Sequence, residues 1–240
     1  MPAKERGGAG PGAKLPAPRS VVDEGVQRVS GGLRAAVSLF LVEHRGVFSV
    51  IDTGTEGSAR RILRAIREAG RKPEDVRQIV LTHCHGDHTG EARRLKLATG
   101  ATVVAGLGDQ GVIEGREPYP EPVDRLFRAV FSGLTRFSRL EVDRAVNGRE
   151  ELEGGIVAVP TPGHTAGHIA VLALDLDAAF VGDLVWNLGS LRPSWRRVTQ
   201  DRDRCAESIR EVAAERVTRV IPGHGRAVSI DRLRALAKRR

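Results

Sequence analysis

Apolar positions change their period along this chain, and each change marks an element. "AVSLFLVEH" (36–44) and "GVFSVIDTG" (46–54) are apolar, β-branched runs around His44–Gly46, which predicts a β-hairpin. "GSARRILRAIREAG" (57–70) shifts to helical spacing, with Ile62, Leu63, Ile66 and Ala69 on one face and a stop at Gly70. "VRQIVLT" (76–82) reads as a short buried strand ending at Thr82. "TGEARRLKLATG" (89–100) reads as a helix closed by Gly100, and "ATVVAG" (101–106) as the next strand. In "PEPVDRLFRAVFSGLTRFSRL" (120–140), Leu126, Phe127, Val130, Phe131, Leu134 and Phe137 recur at helical spacing. Strands near 155–159, 168–174 and 178–182, a helix over 202–214, a strand at 217–221 and a helix from about 229 complete the pattern.

Strands and helices alternate after residue 20 with no linker-like gap and no internal repeat. One α/β domain over 21–240 is expected, with helices outside mainly mixed sheets. Residues 1–20, rich in Gly, Pro and Lys, are expected to be a flexible leader; they lack the apolar core of a secretory signal. No apolar run approaches the roughly 18 residues that span a bilayer. A cytoplasmic protein without a membrane partner is the expectation.

Composition narrows the chemistry. Cys84 and Cys205 are the only thiols of 240 residues, so a disulfide framework and a four-cysteine zinc site are excluded. The net charge of +8 comes from 38 basic and 30 acidic residues spread along the chain. A clustered basic stripe is missing, which argues against a nucleic-acid partner.

Six of the seven histidines fall in Gly- or Pro-framed loops after strand-like runs. "THCHGDH" (82–88) presents His83, His85, Asp87 and His88. In extended backbone His83 and His85 point to one side, while Asp87 and His88 follow as the chain turns, with Gly86 permitting a tight bend. "VAVPTPGHTAGH" adds His164 and His168, "AAFVGDLV" adds Asp183, and "RVIPGHG" adds His224. Loops at strand ends of an α/β sheet tend to converge on one edge. The four residues of "THCHGDH" can flank one or two cations about 3.5 Å apart. The candidates outnumber the four ligands that close a structural zinc site, so an open, catalytic centre is expected.

"THCHGDH" matches the H-x-H-x-D-H signature of the metallo-β-lactamase superfamily, and "TPGHTAGH", "VGD" and "PGHG" resemble its later motifs in order and spacing. The likeness runs from about Val37 to Gly225. It implies an α/β fold of αββα type: two mixed sheets packed face to face and flanked by helices. It also implies that His83, His85 and His164 hold one metal, that Asp87, His88 and His224 hold the other, and that Asp183 bridges them. Asp52 in "IDTG" would support the metal loop, and His168 would have a supporting or structural role.

Two divalent ions are the implied cofactors, zinc first, with iron and manganese open to a His/Asp site. The expected chemistry is hydrolysis of a small carboxylic ester, thioester or lactone by a metal-bridging hydroxide, which Asp87 orients or whose proton it relays, in addition to ligating. The motif set is closest to glyoxalase-II-like thioesterases and lactonases. Glyoxalase II proper carries a C-terminal helical domain that holds glutathione, and with fifteen residues after Gly225 the expectation here is a thioester other than one of glutathione. Against acyl-homoserine lactonases, Trp186 stands where they carry tyrosine three residues after the bridging aspartate. The alternatives are a mononuclear iron persulfide dioxygenase and an RNase Z-like phosphodiesterase. A small molecule is the expected partner, and homodimerisation stays open. A helical cap over 118–140 would add Tyr119, Phe127, Phe131 and Phe137 to the pocket wall, and ordinary core packing of an amphipathic helix is the equal alternative. Trp186, Arg192 and Trp195 are weaker candidates for its rim.

Overall fold

The computed structural model describes residues 22–23, 25–29, 37–119 and 138–239. The leader and most of the cap segment, with Phe127, Phe131 and Phe137, lie outside these residues. The expected hairpin is β3 (Leu39–His44) and β4 (Val47–Ile51), antiparallel and in register from Phe40↔Ile51 to His44↔Val47. Arg45 and Gly46 both take positive φ (48° and 77°) at its tip. That geometry matches the right-handed twist of the flanking strands.

β1 (Val22–Asp23) and β2 (Val26–Val29) precede the hairpin in the same sheet. β5 (Val76–Leu81), β6 (Thr102–Gly106) and β7 (Arg144–Val146) follow, each parallel to its predecessor. The result is a seven-stranded mixed sheet in sequence order. Its helices are α1 (Ser58–Glu68), α2 (Gly86–Thr89), α3 (Ala92–Thr99) and α4 (Leu107–Ile113). The buried face of α1 is Ala59, Ile62, Ala65 and Ile66, with Leu63 partly buried. Ala69, expected on that face, is exposed, because the helical residues end at Glu68 and it serves as the C-cap.

The second sheet is built from β8 (Glu150–Glu151), β9 (Val157–Pro160), β10 (Ile169–Ala173) and β11 (Ala178–Phe180). Three short strands, β12 (Val185–Asn187), β13 (Leu191–Pro193) and β15 (His224–Gly225), form a separate three-stranded sheet. Between them in sequence come α5 (Arg202–Ala213) and β14 (Arg219–Ile221), and β16 (Val228–Ser229) and α6 (Ile230–Ala237) end the chain. The larger sheet runs β16-β14-β11-β10-β9-β8, with β11 and β14 parallel and the other pairs antiparallel.

Side chains alternate across a strand, and that alternation defines the layers. On β5, Ile79 and Leu81 join α1 and α3 in an outer core, whereas Val80 faces the other way. On β10, Ile169, Val171 and Ala173 meet Val80, Phe40 and Val104 between the sheets. Ala170 and Leu172 face outward, to Cys205, Ile209 and Val212 of α5 and Leu233 of α6. Three apolar layers thus separate helices, sheet, sheet and helices. The sequence expectation of an αββα sandwich matches this order.

Candidate metal centre

The strand ends meet at one edge of the sandwich. Ile169, which opens β10, donates its backbone N–H to Thr82 O (2.8 Å), tying the second sheet to the loop after β5. Gly223 N–H donates to Gly182 O (2.7 Å), tying the loop after β14 to the loop after β11. His83 and His85 therefore face His164, Asp183 and His224 across the gap between the sheets.

The i, i+2 rule holds within the loop. His83 Nε2 lies 3.1 Å from His85 Nδ1, while the Cys84 side chain between them turns into the outer core. His85 Nδ1 is also 3.0 Å from His164 Nε2, 79 residues later. Asp87 and His88 lie in α2, whose first turn makes the bend after His85. Gly86 has no positive φ, so the bend needs no glycine conformation, contrary to the sequence expectation.

Among the described residues, three triads have all their ligand atoms within 4.8 Å of one another: His83–His85–His164, Asp87–His88–His224 and His83–His88–Asp183. Asp183 stands between the first two. Its Oδ2 lies 3.2 Å from His224 Nε2 and 3.6 Å from His164 Nε2, and its Oδ1 lies 3.3 Å from His88 Nε2. Asp87 Oδ2 is 3.4 Å from His224 Nε2.

Neighbours fix the rings by their other nitrogens. His83 Nδ1 contacts Thr82 Oγ1 (3.1 Å), His164 Nδ1 contacts Ser194 Oγ (3.1 Å) and His88 Nδ1 bonds Asp52 Oδ2 (2.7 Å). Asp52 also accepts Thr82 N–H (2.8 Å), and it sits at φ 59° to do so. Its support of the loop, which the family resemblance implies, is visible in these contacts. His168 accepts the Asp183 N–H at Nε2 (3.1 Å), and its Nδ1 meets Thr161 Oγ1 (2.8 Å). Both ring nitrogens are thereby engaged, and no candidate triad among the described residues includes it.

The electrostatics split the centre. Burial, then neighbouring imidazoles, holds His83 and His164 well below the ordinary histidine range, and burial brings His85 to about 4. Burial likewise lowers His168 to about 3. His224 behaves oppositely: burial opposes its charge, but Asp183 and Asp87 raise it to about 10. His88 is also raised well above its usual value, since Asp52, Asp183 and Asp87 outweigh burial. Burial works against the Asp183 charge as well, yet His224 and His88 keep it ionised.

Two aromatic rings bound the cluster. Tyr119 stacks on His85 (centroids 5.6 Å, 26°), and Trp186 packs against His224 (4.8 Å). Trp195, with Arg197 over its ring at 5.6 Å, and Arg192 lie on the neighbouring β13 side. Sequence reasoning did not find Asp109, Thr165 or Ser194. None carries a spacing signal, and only the fold sets them against the loops.

The chain is 29% identical over 148 residues to the uncharacterised protein YobT of Bacillus subtilis, covering 61% of each. It is 34% identical over 136 residues to a hydroxyacylglutathione hydrolase of Albidiferax ferrireducens, covering 55% of this chain and 42% of that one. The chain thus spans under two thirds of the length of the curated relatives it matches. A metallo-β-lactamase from Cronobacter sakazakii superposes with a TM-score of 0.65 at 25% identity, over 85% of this chain and 79% of that one. The metallo-beta-lactamase superfamily model matches residues 32–224, which carry the whole cluster, and the chain belongs to that superfamily.

Proposed function

We propose that this chain is a dinuclear metal-dependent hydrolase, with zinc the first candidate, acting on a small carboxylic ester, thioester or lactone. One observation carries the reading: two donor triads flank a single carboxylate, Asp183, at an edge where strand ends converge. The residues present fit dications. His88 Nε2 and Asp183 Oδ1 are buried and face each other without hydrogen-bond geometry. Buried polar atoms left this way are costly unless something else satisfies them. A Cβ at Gly223 would come within 2.7 Å of both Asp183 Oδ1 and His88 Cε1, so glycine keeps that space open.

His83, His85 and His164 would hold one ion, and Asp87, His88 and His224 the other, with Asp183 shared. Bound there, the ions supply Lewis acidity for the substrate carbonyl and bring water ionisation near neutrality. Anionic Asp87 and Asp183 offset part of that charge. Asp87 is the most exposed of the seven, with 13% of its side chain accessible, and it can orient an attacking water and take its proton. Tyr119 and Trp186 limit water at the two ends and offer apolar faces to an acyl group. The name of the Albidiferax relative supports putting a thioester first.

The test is metal analysis of aerobic and anaerobic preparations, followed by assay on thioesters, lactones, phosphodiesters and a glutathione persulfide. Metal-dependent hydrolysis of a thioester or lactone is the expected result. Oxygen uptake with the persulfide, or cleavage only of phosphodiesters, would replace this reading.

A further inference from the structure

Asp109 lies in the first turn of α4, outside the ligand set, and only 2% of it is exposed. Its carboxylate accepts three hydrogen bonds. Oδ2 takes the Cys84 N–H (2.8 Å) and the Thr165 hydroxyl (2.6 Å), and Oδ1 takes the Gly167 N–H (2.8 Å). Cys84 is the residue between His83 and His85, and Thr165 follows His164. One buried carboxylate therefore joins the loop after β5, in the first sheet, to the β9–β10 loop of the second.

The surrounding backbone is built for this contact. A Cβ at Gly106 would lie 1.9 Å from Gly167 O, and one at Gly167 would lie 2.1 Å from Asp109 N. Loop and helix end touch backbone to backbone, which only glycine allows at those points. Asp52 holds the same loop from its other side, bonding His88 Nδ1 directly and Thr82, whose Oγ1 in turn meets His83 Nδ1. The Asp109 brace differs in that it spans the two sheets.

We infer that Asp109 is a positioning residue that sets the spacing of His83, His85 and His164, and with it the metal affinity of that half of the centre. The inference rests on the proposed dinuclear site. An amide at 109 cannot accept at both ends, so Asp109→Asn must point an NH2 at Gly167 N–H or at Cys84 N–H. Partners that orient ligands from outside the coordination set typically change metal affinity by about 10–100-fold.

The experiment is zinc titration of the full chain and of D109N against a chromophoric chelator, with cobalt(II) absorption spectra as the second readout. The expected result is a folded D109N that binds one equivalent about 10–100-fold more weakly, with an altered cobalt spectrum, and the other equivalent as before. If D109N does not fold, Thr165→Val decides, since it removes one donor and keeps the carboxylate. It should weaken the same equivalent by a smaller factor. Wild-type affinity for both equivalents in a folded D109N, or in T165V if that variant must decide, would overturn the inference. So would an equal loss in both equivalents, the mark of general loosening. A wild-type chain that takes up no metal would instead defeat the dinuclear reading, and this inference with it.

Discussion

His83, His88 and His164 each commit one ring nitrogen to a neighbour and turn the other toward the shared centre. This sets tautomer and direction together, so removing one donor should cost more than one bond. His83→Ala and Asp183→Ala are expected to abolish both zinc uptake and turnover, measured by metal analysis and esterase assay. Turnover retained by a metal-free His83→Ala protein would falsify the proposed function. The protonation states give a second prediction. His224, raised to about 10 by Asp183 and Asp87, is cationic near pH 7 in the metal-free protein and His88 is shifted the same way, whereas burial favours the neutral forms of His83, His85 and His164. Imidazole binds metal only when neutral, so loading at pH 7 should release protons, the one on His224 among them. Affinity should climb as pH rises toward about 10, the value of His224, and level off beyond it. Calorimetry in buffers of different ionisation enthalpy measures the release, and none at pH 7 would contradict this charge assignment. Without metal, the raised His224 has the opposite consequence for folding. Its contribution to stability is complete below the free-histidine range near 6.5 and lost as pH rises through about 10.

Among the elements, the long periodic ones were the legible ones. The β3–β4 hairpin, α1, α3, β6 and α5 follow from runs long enough to show a period, or from a Gly at the end, such as Gly100 in the left-handed C-cap of α3. The sheet of β12, β13 and β15 was not legible, because two- and three-residue strands carry no period. Yet that sheet sets Trp186 in register with His224. Close approaches were hidden for a similar reason: a glycine in sequence does not say which backbone it meets. Gly106→Ala tests one of them. Its Cβ would enter the Gly167 carbonyl, and overpacking of this kind costs about 1–3 kcal/mol. A fall in denaturation midpoint is expected, and an unchanged one would show that the β6–α4 corner yields freely.

For the whole molecule, the two outer apolar layers and the one between the sheets hold seven candidate ligands at a single edge. Among the described residues, no helix is long and apolar enough to cross a membrane. Surface pairs such as Arg64–Glu68 (2.7 Å) and Arg45–Asp175 (2.8 Å) are exposed and contribute little to stability. Bound metal should contribute far more, because it binds the folded chain and not the unfolded one. At 1,000 times its dissociation constant a single ion adds about 4 kcal/mol. Saturating zinc should therefore raise Tm and a chelator should reverse it, while a Tm indifferent to both would count against the centre.

Spacing along the chain was enough to name the donor types, their order and their positions at strand ends. Imidazole and carboxylate chemistry is local, and so is the two-residue period that aims His83 and His85 together. The tertiary structure decided which donors meet. His85 and His164 are 79 residues apart, and Asp109 and Thr165 are 56 apart. Such pairs form only when two sheets pack and bring their strand ends to one edge, and no local period encodes that distance. The Asp109 brace and the charge split between the two triads belong to that level.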